Sequence, residues 1–282
     1  MAKAWGSVDG DPNPYALTAS LPHRPSPISV ERMIVKIGCC GFPVAMRTYS
    51  SRMKLVEVQS TFYNPPSKRS IEGWLRNSPK DFEFSVKAWM AITHPTDSPV
   101  WRRSKAKLPG DPANYGLFKP TEENMWAWEK TLEICKALRA RVCVLQTPPR
   151  FNASKANVDN MADFFSSVGR GDLEMAWEPR GDWKDRREEV RDVCERLGLI
   201  PIVDILRHEP IPIGPILYTR LHGLGEREYN YGYRYTDEDL SELFDKVSSL
   251  RESNVSEVYV LFNNIHMFDD ALRFMRLFGD GR

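Results

Sequence analysis

Eight short apolar runs alternate with stretches of helical periodicity from residue 33 to near the end of the chain, and few folds accept that pattern. The runs are Met33–Gly38, Leu55–Gln59, Phe82–Lys87, Val142–Gln146, Leu173–Trp177, Ile200–Asp204, Ile216–His222 and Val258–Asn263. Between them apolar side chains recur at helical spacing, as in Met125, Trp128, Leu132, Cys135 and Leu138, or Leu240, Leu243, Phe244, Val247 and Leu250. The second of these helices opens with Thr236 and Asp239, close to a capping box, and Asp269 to Phe278 reads as a closing helix. Such alternation builds a parallel sheet, either open and doubly wound or closed into a barrel. The Gly-x-Gly-x-x-Gly turn of a nucleotide-binding open sheet does not follow the first run, where Gly38-Cys39-Cys40-Gly41 stands instead. The predicted fold class is therefore α/β, a single (β/α)8 TIM-type barrel over residues 32–282.

Two segments stand outside the repeat. Residues 1–31 carry Pro12, Pro14, Pro22, Pro25 and Pro27 without periodicity and read as an extended N-terminal arm. Residues 96–120, bracketed by Pro95 and Pro120, form a long loop after strand three in which Pro99, Pro109 and Pro112 resist regular structure.

A chain of 282 residues, 41% hydrophobic and 11% aromatic, is long enough for one barrel and apolar enough to fill it. With 39 Lys+Arg against 38 Asp+Glu, the net charge of +1 speaks neither for nor against nucleic acid, so only local charge can. The five cysteines, Cys39, Cys40, Cys135, Cys143 and Cys194, are odd in number and include no Cys-x-x-Cys. That excludes a disulfide framework and structural zinc, and implies reduced, buried thiols. No run is long enough to cross a membrane and no signal pattern opens the chain, so a cytoplasmic protein is expected. The only glutamines are Gln59 and Gln146; few thermolabile amides beside many charged residues suggest a heat-adapted source.

Side chains alternate between faces of a strand, which sorts the polar residues. Glu57 shares a face with Gln59, opposite Val56 and Val58; Ser85 pairs with Lys87, and Arg220 with His222. Gln146, Glu178, Asp204 and Asn263 stand at or just beyond their strand ends. All lie toward the C-terminal ends, where barrel enzymes keep catalytic groups. Seven strands deliver such a residue and the first does not. Structural ion-pair networks also close barrel mouths, so each residue carries that second reading. Phe62, Tyr63 and Trp89, just past strand ends, are candidates to line the mouth.

These segments carry a resemblance. Val56-Glu57-Val58-Gln59-Ser60-Thr61-Phe62-Tyr63 resembles a Val-Glu-x-Asn-x-Thr-Phe-Tyr block of the YecE-like family, domain of unknown function seventy-two. Phe84 to Ala88 with Thr93-His94, Gln146 to Phe151, Trp177-Glu178-Pro179-Arg180 with Trp183, Arg220 to Gly223, and Tyr259 to Asn264 continue it in order. The resemblance implies a TIM barrel without an assigned reaction, similar in fold to sugar-isomerase and apurinic-endonuclease barrels. Two segments depart from the family pattern: Gly38-Cys39-Cys40-Gly41-Phe42 replaces Gly-Thr-Ser-Gly-Trp, and Gln59 replaces Asn in the second block.

Three readings of function follow. In the first, the protein hydrolyses a phosphate-bearing substrate, foremost a nucleic-acid phosphodiester. Glu57, Glu178 or Asp204 serve as base or metal ligand, while Lys87, Arg220 and His222 hold phosphate oxygens. Substrate-binding candidates are Gln59, Tyr63, Trp89, His94, Gln146, Arg180, Asn263 and Asn264, together with Trp101-Arg102-Arg103-Ser104-Lys105-Ala106-Lys107. That last segment interleaves four cations with an aromatic, which suits phosphates and an unstacked base, although an ordinary solvated charge run is the rival reading. A divalent metal ion is a candidate cofactor, with Glu57, Glu178, Asp204 and His222 as ligands, against ion pairing of the same carboxylates by Lys87 and Arg220. The second reading is a nucleic-acid or phosphosugar binding protein without turnover. The third is a carbohydrate-active barrel using two carboxylates.

Overall fold

The computed structural model describes residues 33–279; the expected arm over residues 1–31 lies outside them. Eight strands form a closed barrel in chain order: β1 (Ile34–Cys40), β2 (Leu55–Val58), β3 (Glu83–Lys87), β4 (Val142–Gln146), β5 (Glu174–Glu178), β6 (Ile200–Val203), β7 (Ile216–Leu221) and β8 (Glu257–Phe262). Every neighbouring pair is parallel, and β8 closes on β1 through Ile34↔Glu257 to Cys39↔Phe262. The α/β barrel read from the alternation is the fold. The first strand, however, runs on to Cys40, because the two cysteines continue its β ladder against Val56 and Glu57.

The helices are α1 (Met46–Ser50), α2 (Lys68–Arg76), α3 (Glu122–Leu138), α4 (Lys155–Ser167), α5 (Arg187–Leu197), α6 (Asp237–Ser249) and α7 (Met267–Leu277). Ser67, Thr121, Ser154 and Thr236 cap α2, α3, α4 and α6, and Thr236 with Asp239 closes a full capping box. Among the described residues no helix joins β6 to β7. Pro210, Pro212 and Pro215 in that connection remove backbone donors and explain the omission. The loop after β3 is less irregular than its prolines suggest. Pro99 and Pro112 each open a short 3-10 turn, where a missing N–H costs nothing.

The barrel interior is layered by strand parity. At the N-terminal end Lys36 Nζ meets Glu83 at 2.6 Å and Glu257 at 3.0 Å, and Arg141 forks onto Glu257 with two bonds of 2.7 Å. Above it lies an apolar plug that includes Leu55, Val142, Val144, Ala176, Ile202, Ile216 and Leu261. The stacked rings of Tyr218 and Tyr259 complete it, 5.3 Å between centroids. A second charged layer, at the C-terminal end, sits on top of this plug. Outside the barrel, Val56, Val58 and the other outward residues pack under the helices in one continuous core.

Gly38 faces inward where β1 meets β2, and a Cβ there would fall 2.4 Å from the Leu55 carbonyl oxygen. The obstacle is backbone, so it cannot rotate away. Gly38→Ala is expected to destabilise the fold by about 1–3 kcal/mol, the usual cost of overpacking. A urea-unfolding midpoint unchanged from wild type would show that the β1–β2 register is looser than described.

Candidate active site

The C-terminal charged layer is built by residues that alternate inward on their strands. Arg220 of β7 is fully enclosed, at 0% exposure, and reaches across the barrel. Its Nη1 pairs with Glu178 Oε2 of β5, its Nη2 lies 3.1 Å from Glu57 Oε1 of β2, and its Nε lies 3.5 Å from Cys40 Sγ of β1. Glu57, also 0% exposed, has both oxygens in use: Oε1 accepts from Gln59 as well as facing Arg220, and Oε2 accepts from the Tyr218 hydroxyl at 2.9 Å. Glu178 Oε1 accepts from Arg180 Nε at 3.1 Å and Nη2 at 2.9 Å. Burial alone would raise the Glu178 pKa, but the Arg220 and Arg180 guanidiniums overcome it and hold the carboxyl well below the usual range.

Lys87 and Gln146 complete the layer from β3 and β4. Lys87 Nζ donates to Gln146 Oε1 at 2.8 Å and sits 4.0 Å from the centre of the Phe62 ring. Burial, reinforced by Arg220, brings its pKa down to about 7 against the opposing pull of Glu178. The layer thus sets two guanidiniums, Arg180 and Arg220, and the titratable amine of Lys87 beside two carboxylates, Glu57 and Glu178.

Beside it opens a cavity of about 670 Å³ whose walls include Glu178, Arg180, Asp204, His222 and Tyr229 and, lower down, Val190, Ile202 and Ile211. It lies where the β6–β7 connection carries no helix. Asp204 Oδ2 accepts from the His222 backbone N–H at 2.9 Å and Oδ1 from Leu206 N–H at 3.1 Å, yet burial pushes its pKa up to about 6. His222 is 4% exposed, and its Nε2 stands 3.5 Å from Glu178 Oε1 without an aligned hydrogen bond. Burial lowers its pKa to about 3, so the ring is neutral.

The loop after β7 brings two aromatics that the sequence patterns did not single out. Tyr229 and Tyr231 stand edge-on to His222, at 5.2 and 6.0 Å, and the Arg180 guanidinium covers Tyr229 at 4.2 Å. Tyr231 is 42% exposed. Arg207, from the loop after β6, secures this segment by donating to the carbonyls of Gly223, Gly225 and Arg227. No helical or strand period runs through residues 223–235, so periodicity could not find them. Cys40 escapes the sequence reading because the apolar run ends at Gly38, two residues short of the strand's end.

Other candidates are placed differently from expectation. Trp89 is buried against Trp126 and the start of its loop is tied to Thr131 of α3, so it belongs to the outer core and does not line the mouth. Asn264 donates to the Tyr233 carbonyl and to Asp270, bracing the β7 loop against α7. Asn263 is half-buried just past β8. His94 is buried, bonded to Thr93 Oγ1 and edge-on to Phe62. Trp101 is half-buried, with its indole N–H on the His94 carbonyl; this seat competes with stacking on a base. Arg103 lies over Tyr63 and donates to its hydroxyl at 2.6 Å, which engages both side chains. Arg102, Lys105 and Lys107 remain exposed.

A divalent ion does not fit the residues first considered for it. Glu57 and Glu178 are already matched by guanidiniums, whose charge would repel a cation. Among the described residues no three His, Cys, Asp or Glu side chains gather to hold one. No helix of the described residues is long and apolar enough to cross a membrane.

Removing Arg220 would leave two buried carboxylates short of a counter-charge. Arg220→Met is expected to lose about 3–5 kcal/mol of stability, as broken buried pairs do, and a further Glu57→Gln exchange should recover part of it. Chemical denaturation of the single and double variants measures this; additive losses would contradict a shared pair.

Comparison with known proteins agrees with this architecture. The chain is 23% identical to the UPF0759 protein YunF of Bacillus subtilis over 249 residues, covering 78% of this chain and 80% of that one. A crystal structure of a DUF72 family protein from Enterococcus faecalis superposes with a TM-score of 0.66 at 20% identity, over 88% of this chain and 98% of the other. Another from Thermotoga maritima gives 0.63 at 26% identity, over 88% and 100%. Residues 43–282 match the family described as "Protein of unknown function DUF72", a match that begins just beyond the departing Gly38–Phe42 opening. The chain belongs to that family.

Proposed function

We propose that the protein is an enzyme acting on a phosphate-bearing substrate at the C-terminal mouth, and that it hydrolyses a phosphoester bond. Water gives a proton to a side-chain base as its oxygen bonds to phosphorus, and the ester oxygen leaves with a proton. The observation that carries this reading is the Arg180 guanidinium, which borders the cavity that Asp204 and His222 also line and shares its carboxylate partner, Glu178, with Arg220. A phosphate entering the cavity meets Arg180, presented to it by Glu178 and Tyr229. Asp204, with a pKa near 6, is poised to accept a proton, and the free Nε2 of neutral His222 is the neighbouring polar contact. Glu57 and Glu178 then act by fixing the guanidiniums, not as bases or metal ligands.

Two features extend the reading toward nucleic acid. The exposed Tyr231 offers a face to a planar ring, and Arg102, Lys105 and Lys107 stand on a loop of the same barrel end, available to phosphates outside the reacting centre. The carbohydrate reading is less favoured, because two carboxylates sharing one guanidinium do not form a separate acid and base.

A labelled single-stranded oligonucleotide and a small aryl phosphodiester, each incubated with a chelator present, test the proposal. Turnover is expected in both, reduced about 100-fold or more in Asp204→Asn, the usual scale for losing an acid–base group. Arg180→Met should weaken binding of both. Absence of turnover together with no effect of phosphate on the site would discard the reading.

A further inference from the structure

Lys87 is a buried amine that the proposed proton transfer does not use. Among the described residues no carboxylate lies within 4.0 Å of its Nζ, whose hydrogen-bond partner is the neutral Gln146 and whose floor is the Phe62 ring. The charged and titratable groups around it come from four sides. Arg220 reaches from β7, Arg180 and Glu178 from β5 and its loop, Glu57 from β2, and His94 from the connection beyond β3. An amine in this seat, beside two permanent cations and with no carboxylate in contact, gives up its proton near neutral pH, so about half of it is free amine at pH 7. Such an amine is a nucleophile. Lys87 and Gln146 are buried, with 6% and 8% of their surface exposed, so a carbonyl reaches the amine only through a narrow opening of the mouth.

We propose that Lys87 adds to the carbonyl carbon of an aldehyde or ketone and carries it as an imine. The Nζ lone pair forms the C–N bond while the carbonyl π pair moves to oxygen. Protons passed from nitrogen to that oxygen release it as water, leaving a C=N bond to the lysine. No oxidant or reductant enters. The inference goes beyond the proposed phosphoester chemistry at the same mouth, and the two together narrow the substrate to a phosphate-bearing sugar aldehyde or ketone.

Reductive trapping on the intact wild-type protein tests it. Glycolaldehyde and glycolaldehyde phosphate are each added near neutral pH with cyanoborohydride, which reduces any imine to a stable secondary amine, and modified lysines are located by peptide mass spectrometry. Lys87 is expected to react about tenfold or more faster than exposed Lys105, Lys107 and Lys184, since an ordinary lysine is almost wholly protonated there. Its rate should rise with a midpoint of about 7. Sulfate should slow trapping of both aldehydes, by favouring the protonated amine, and of the phosphorylated one more, by competing for its phosphate seat. If both aldehydes trap Lys87 equally and sulfate affects neither, the amine stands and the phosphate reading falls. Labelling confined to the exposed lysines, or a Lys87 midpoint in the ordinary lysine range, overturns the inference.

Discussion

The guanidinium of Arg220, wholly enclosed and shared between Glu57 and Glu178, is the interaction on which the upper half of the barrel depends. It joins β2, β5 and β7 across the interior, and its Nε reaches Cys40 of β1. Taking these charges out of water is costly unless each meets its opposite, so the three side chains must be placed together or not at all. Glu178 in turn orients Arg180 toward the cavity, and Arg180 orients Tyr229. One buried pairing thereby sets the geometry of Arg180 and helps seat Tyr229 on that wall.

The strand period turns this pairing into an end of the molecule with a distinct chemistry. Inward positions rise from the Lys36–Glu83–Glu257–Arg141 network, through an apolar plug, to the Arg220 layer. The lower network balances its charges and is closed off from the upper one by Tyr218, Tyr259 and the aliphatic side chains between. The upper layer adds the titratable Lys87 to two guanidiniums matched by two carboxylates, and it meets a cavity. Prolines that deny a helix to the β6–β7 connection leave that space unfilled, so a defect in the outer ring of helices becomes room for a ligand.

Much of this was legible in the sequence because it obeys the period of two. Glu57, Lys87, Glu178 and Arg220 were assigned to one end and one face by alternation, and they do lie in one layer. What failed to show were features without a period. Trp89 follows Lys87 by two residues, yet the chain has already left the strand there, so parity no longer predicts its direction and it packs on α3. Tyr229 and Tyr231 lie in a loop shaped by Arg207 and Asn264, contacts distant in sequence. A cluster of acids with one histidine suggested a metal; only the geometry shows guanidiniums occupying the place of the cation.

The central claim is that an anion entering the mouth meets Arg180 beside the half-ionised Lys87 and is held there. Calorimetric titration with sulfate, which does not itself titrate near neutrality, tests this directly when repeated at about pH 7 in buffers of different ionisation enthalpy. An anion beside Lys87 and Asp204 favours their protonated forms, so binding should take up a fraction of a proton, about half where Lys87 begins half-ionised. Sulfate that does not bind, or that binds with the same enthalpy in every buffer, would contradict the account.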